Sequence, residues 1–217
     1  IYREIGNLHD AELNCRHAIK LKPDLSEAHN NLGIVLQGLE KFKDAKACFK
    51  KSILLNPNFL EARVNLGNIY VEQNRFDEAI NQFIKTLEIN PNFNLAYYSL
   101  GDALSKTYFK KPVKNLNKYI LKLLEKKIYA RPKYIARSIL SLLKFDPNVN
   151  KALEVSFKKI DFKLSHNVIY NLCKVPILLK LMKITPIPNL KFEGLFKDIR
   201  STILFNLKNF LGYTDIL

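Results

Sequence analysis

Glycine is scarce in this chain of 217 residues: there are 7, and beyond Lys106 only Gly194 and Gly212 remain. That is too few for a phosphate-cradling loop, and no Gly-x-Gly-x-x-Gly, phosphate-loop or Gly-x-Ser-x-Gly pattern occurs. Cysteine is equally sparse. Cys15, Cys48 and Cys173 form no Cys-x-x-Cys pair and read as reduced thiols, which sets a cytoplasmic location as the expectation. His9, His17, His29 and His166 share no metal-ligand spacing with one another or with the cysteines, so neither metal nor cofactor is expected. No apolar run reaches the ~18 residues of a membrane span. The densest, Val175 to Leu190, is interrupted by Lys180, Lys183 and three prolines. No secretory signal opens the chain, because Ile1 to His9 already carries Arg3 and Glu4. The acidic pair Asp77 and Glu78 suits a helix start, where negative charge meets the dipole, and carries no chemistry of its own. No enzyme activity is expected of these residues.

What the chain has in abundance is a period. Pro23, Pro57 and Pro91 are spaced by 34 residues, as are Gly33, Gly67 and Gly101, and as are Ala11, Ala45 and Ala79. The spacing predicts two complete helix-turn-helix units. The first has helices over 26–39 and 42–55, and the second repeats Leu66, Gly67 and Tyr70, then Ala79, Phe83 and Thr86. A mid-helix glycine costs about 1 kcal/mol against alanine. Its recurrence in register therefore demands a tight helix crossing, expected against Ala45 and Ala79, with Leu32, Leu36 and Phe49 filling the surrounding space. Asn56-Pro57-Asn58 and Asn90-Pro91-Asn92 stop the second helices. Before them, residues 1–22 read as the tail of one helix and the second helix of a partial unit. The chain thus opens inside a repeat, and the expectation is a fragment of something longer. After them, Asn94, Tyr97, Leu100, Gly101 and Leu104 begin a fourth unit whose second half fails, with Pro112, Val113 and Asn117 out of pattern.

These residues resemble the tetratricopeptide repeat family. The stretch Asn56 to Ile80 is most similar to the superhelical repeats of O-linked N-acetylglucosamine transferases, whose Asn-Leu-Gly triplets place asparagine on a concave surface. Asn31 and Asn65 match that asparagine; Ser99 replaces it in the fourth unit. The resemblance implies an all-α fold, a right-handed superhelix (α-solenoid) over residues 1–107. An irregular basic helical region follows over 108–217. It further implies a groove lined by the first helix of each unit, with Glu27, Asn30, Asn31, Ile34, Glu61, Val64, Asn65, Asn68, Tyr98, Ser99 and Asp102 facing a protein or peptide partner. An amide can donate to and accept from a peptide backbone. The acids Glu27, Glu61 and Asp102 speak against a clamp for a terminal carboxylate.

The net charge of +15 is unevenly spread. Ile1 to Ser105 holds 12 Lys+Arg against 13 Asp+Glu, whereas Lys106 to Leu217 holds 23 against 7, a balance of +16. Apolar spacing predicts helices over 113–129 (Val113, Leu116, Ile120, Leu123, Leu124 and Ile128 inward) and 132–144 (Tyr134, Ile135, Ile139, Leu140 and Leu143 inward). Others are expected over 147–159, 166–174, 176–183 and 190–211. The 113–129 helix is expected to cover the end of the repeats. Val175 to Phe196 is similar to a connector in bacterial repeat proteins that precedes a methyltransferase domain.

Three functional classes follow. The first is an interaction module binding protein or peptide in the repeat groove. The second is the substrate-recruiting arm of a methyl- or glycosyltransferase whose catalytic domain lies outside these residues. The third, a basic nucleic-acid or membrane-surface binder, ranks last. Its charge is 20 Lys against Arg131, Arg137 and Arg200, which together with abundant asparagine and isoleucine fits AT-rich coding, and arginine is the better phosphate reader.

Overall fold

The computed structural model describes residues 2–125, 131–157 and 166–183, together with 193, 194, 196, 197 and 199. Every described element is a helix, and the chain divides into two compact units, 1–103 and 104–217.

In the first unit, α1 (Tyr2–Leu21) is one continuous helix, not the helix tail and second helix that the period suggested. Gly6 stands in register with Glu40 and Asn74, which carry the turns of the later units. At Gly6 the helical hydrogen bonds continue through in place of a turn. Then come α2 (Ser26–Gly38), α3 (Phe42–Leu55), α4 (Leu60–Glu72), α5 (Phe76–Ile89) and α6 (Asn94–Lys106), and the division between units falls inside α6. Helices α1 to α5 pack in sequence, α1 on α2, α2 on α3, α3 on α4 and α4 on α5, and α2 also touches α4.

The turns repeat with the period. Glu40 (φ 58°) and Asn74 (φ 57°) are left-handed, so that Lys41 N donates to Leu36 O and Arg75 N to Tyr70 O, both at 2.8 Å. This is a Schellman-type helix end built without glycine. At the other turn, Asn56 Oδ1 accepts from Asn58 N and Asn90 Oδ1 from Asn92 N. The proline carbonyl at each of these turns is then bonded by the residue six positions on. His29 Nε2 lies 2.8 Å from Pro23 O, Arg63 Nη2 donates to Pro57 O at 2.9 Å, and Tyr97 OH donates to Pro91 O at 3.2 Å. Three chemically different donors thus do one job at positions 29, 63 and 97.

The tightest packing is glycine against phenylalanine. A Cβ on Gly33 would sit 2.6 Å from the Phe49 ring, and one on Gly67 would run into the Phe83 ring. Phe49 and Phe83 are both fully buried. The small surface opposite each glycine therefore serves a ring, not the Ala45 or Ala79 methyl expected from the sequence, although both alanines are buried alongside. The thiol of Cys15, in register with these rings, is half-buried.

α1 is tied on by charge. Glu12 receives Arg16 Nη2 at 2.7 Å and Lys41 Nζ at 2.9 Å. The hydrogen bond from Lys41, then that from Arg16, holds this carboxyl below its usual range.

The second unit contains α7 (Leu116–Glu125), α8 (Pro132–Leu143), α9 (Pro147–Phe157), α10 (His166–Leu172) and α11 (Pro176–Met182). α7 packs on α8 and α11, and α9 on α10. Leu116, Ile120, Leu123 and Leu124 are buried with Ile135, Ile139, Leu140 and Leu143, as their spacing requires. Two expectations fail here. Val113 precedes the helix, because residues 107–115 are non-helical and Asn115 turns left-handed (φ 62°). Tyr134 is 54% exposed, since its apolar neighbours Ile135 and Ala136 already fill the inward side. Segment 104–109 is instead fastened to α8. Ser138 Oγ donates to the carbonyls of Leu104 and Thr107, and Ser141 Oγ accepts from Phe109 N at 2.9 Å. Ile128, the end of the 147–159 helix and most of the 190–211 helix lie outside the described residues. Within the last, Glu193, Gly194, Phe196, Lys197 and Ile199 are helical.

Gly67→Ala should lower stability. The helix-propensity gain is ~1 kcal/mol at most, and overpacking against a buried ring costs ~1–3 kcal/mol, more wherever the ring cannot shift. Thermal unfolding is expected several degrees lower (~4–8 °C per kcal/mol lost); an unchanged or raised midpoint contradicts the crossing described here. Because the folded-state pKa of Glu12 is depressed, its contribution is present above the ordinary glutamate range and is lost as pH falls through the folded value. Glu12→Gln should therefore unfold at a lower temperature than the parent at pH ~7, with the gap closing below pH ~4.

Candidate protein-binding face

Helices α2, α4 and α6 open each unit in register, so each exposes the same stripe. On α2 the stripe is Glu27, Asn31 and Ile34, all exposed. On α4 it is Glu61, exposed, with Asn65 and Asn68 half-buried. On α6 it is Leu95, Ser99 and Asp102, of which Ser99 is half-buried and the others exposed. Spacings of four and three residues put each set on one side of its helix.

The remaining expected residues behave differently. Asn30 is 5% exposed and Val64 fully buried, so neither offers surface. The contact of α2 with α4 accounts for Asn30: Asn65 Nδ2 donates to Asn30 Oδ1 at 3.0 Å. The amide link between repeats thus runs from Asn30 to Asn65. Tyr98, next in the series 30, 64 and 98, is 48% exposed. Leu95 was missed by the sequence reading, although its register with Glu27 and Glu61 was a signal for it.

Electrostatically these stripes carry Glu27, Glu61 and Asp102 and no lysine or arginine. Arg63, nearby on α4, is turned back onto Pro57 O. An acidic and amide-rich surface with Ile34, Leu95 and Tyr98 as apolar contacts can hydrogen-bond an extended backbone and attract cationic side chains. Nucleophilic chemistry finds no support in the thiols. Burial pushes Cys15 and Cys48 up and Cys173 up to about 11, so all three are protonated at neutral pH. Among the described residues no three of His, Cys, Asp and Glu gather as metal ligands, and no helix is long and apolar enough to cross a membrane.

Repeated helix pairs with glycine–phenylalanine crossings and a shared polar stripe define a helical-repeat interaction scaffold. Three family models agree: a tetratricopeptide repeat over residues 26–59, a second over 48–81, and a TPR repeat over 67–107. Residues 26–107 thus carry tetratricopeptide repeats, and these models describe repeats and not a catalytic domain. Solved structures similar to it include an O-GlcNAc transferase of Thermobaculum terrenum, at 22% identity and a TM-score of 0.48, covering 57% of this chain and 24% of that one. A MamA protein is 30% identical with a TM-score of 0.47, over 58% of this chain and 68% of that one. YrrB, described as a TPR protein with an unusual peptide-binding site, is 18% identical with a TM-score of 0.45, over 90% and 96%. The chain thus spans only 24% of the transferase it matches. No protein with a curated description matches it.

The Asn30–Asn65 bond should show as a coupling energy. Asn30→Ala leaves the Asn65 amide without this partner and is expected to cost about 1 kcal/mol. In a double-mutant cycle with Asn65→Ala, chemical denaturation should give a coupling of ~0.5–1.5 kcal/mol; strict additivity contradicts the bond.

Proposed function

We propose that the repeats bind an extended peptide or protein segment along the stripes of α2, α4 and α6. The observation that carries this reading is the register: three helices present equivalent accessible positions at 27/61/95, 31/65/99 and 34/68/102, so a chain running across them meets the same backbone positions three times with varied side chains. Asn31, Asn65 and Asn68 supply amides that satisfy a peptide backbone whatever its sequence. Ile34, Leu95 and Tyr98 supply the apolar contacts, and Glu27, Glu61 and Asp102 set the sign of charge the ligand carries. Asn30 supports the surface by holding Asn65, and Val64 contributes only packing.

The test is a random peptide library screened on the immobilised full chain, followed by affinity measurement on Asn31→Ala with Asn68→Ala. Neither residue has a side-chain bond in the way that Asn65 does, so stability should change by less than ~0.5 kcal/mol. Losing two backbone contacts is expected to weaken binding roughly ten-fold or more. Retained affinity at unchanged stability removes this face from the binding reaction.

A further inference from the structure

The second unit carries a surface that peptide binding by the repeats does not use. From Leu104 to Phe145 the sequence holds 12 Lys+Arg and one acid, Glu125. Scattered along a chain this is unremarkable lysine usage. The fold gathers part of it, because Ser138 and Ser141 fasten segment 104–109 to α8 and α7 packs against the same helix. Tyr108 is thereby brought to Lys144, whose Nζ lies 3.1 Å from the phenol oxygen and 5.7 Å from the ring centre. Lys110 and Lys114 follow directly and are exposed. On α8, Tyr134 and Arg137 are exposed.

The exposed apolar residues differ in kind between the two units. Among the described residues of 1–103 the exposed large hydrophobics are seven leucines and isoleucines and a single tyrosine. In residues 104–217 all those described are aromatic: Tyr108, Tyr134, Phe145 and Tyr170, at 40–54% exposure. Tyr170 again has a lysine over its ring, Lys174 at 4.0 Å.

We infer that the surface formed by segment 104–114 and α8 binds single-stranded nucleic acid, with lysines on the phosphates and Tyr108 and Tyr134 as platforms for bases. Lysine and exposed rings together, without acids, match a sequence-tolerant strand ligand, because every base has a face to stack while lysine needs no fixed phosphate geometry. A bilayer ligand fits less well, since a membrane-surface helix needs a broad apolar face to bury, and the described large apolar residues of α7 and α8 are buried or half-buried in the fold except Tyr134. An acidic protein would use the lysines and leave the rings without a role. The sequence alone ranked nucleic acid last because its lysine-rich charge fits AT-rich coding; the fold adds the fastening of segment 104–109 to α8 and of Tyr108 to Lys144.

The probe is a fluorescent oligothymidylate titrated into the full chain by anisotropy at ~50 and ~200 mM salt, where affinity should fall steeply. Tyr134→Leu is expected to weaken binding about five-fold or more, while Tyr134→Phe, which keeps the ring, retains it. Lys110→Gln with Lys114→Gln should reduce the slope of log affinity against log salt by about 1.4, roughly 0.7 for each single-strand phosphate contact. Thermal unfolding of each variant checks that the fold is unchanged. Three results would each overturn the proposal: no binding at ~50 mM salt, equal affinity of Tyr134→Leu and the parent, or equal or tighter binding of anionic phosphatidylserine vesicles, polyglutamate or duplex DNA.

Discussion

The contact on which the repeat unit rests is a phenylalanine ring laid on a glycine. Gly33 meets Phe49 and Gly67 meets Phe83 so closely that a single added carbon has no room. Glycine is a poor helix residue, and its place in mid-helix is held by the burial of a whole aromatic side chain against bare backbone. That approach sets how close the two helices of a pair lie. The distance from one pair to the next is governed by the proline turns and their carbonyl bonds, which occur at the same 34-residue interval. The outward stripe of each first helix is then left in register by default. The proposed binding face is then a by-product of an internal packing rule.

The two units follow different rules. In the first, every element is fixed by its counterpart one period away, and a position can be understood by comparing 33 with 67 or 40 with 74. In the second no such comparison exists. Segment 104–109 takes its place from two serines on α8, and the helices α7 to α11 pack through apolar stripes of unequal length. Their exposed surfaces differ accordingly, acidic and aliphatic along the repeat stripes, basic and aromatic on α8.

The sequence disclosed the fold class, both complete units and most helices of the second unit to within a few residues, because apolar spacing and proline position are local signals. It misjudged what depends on a partner in space. The ring over Gly33, the inward turn of Asn30 and the outward turn of Tyr134 are decided by which neighbour fills the gap first. Of the expected binding residues, Glu27, Asn31, Ile34, Glu61, Tyr98 and Asp102 are exposed, while Asn30 and Val64 are buried. The heptad-like spacing that picks out one side of a helix does not distinguish solvent from the next repeat. The continuous α1 was hidden because Gly6 stands in register with Glu40 and Asn74, which turn the later units, yet the helix runs through it.

The central claim, that the shared stripe of the first helices is where a partner docks, is tested most directly by amide hydrogen exchange on the full chain with and without a peptide selected against it. Slowed exchange is expected in α2, α4 and α6 together, with α3 and α5 unchanged. Protection confined to α3 and α5, or to the second unit alone, would contradict the account.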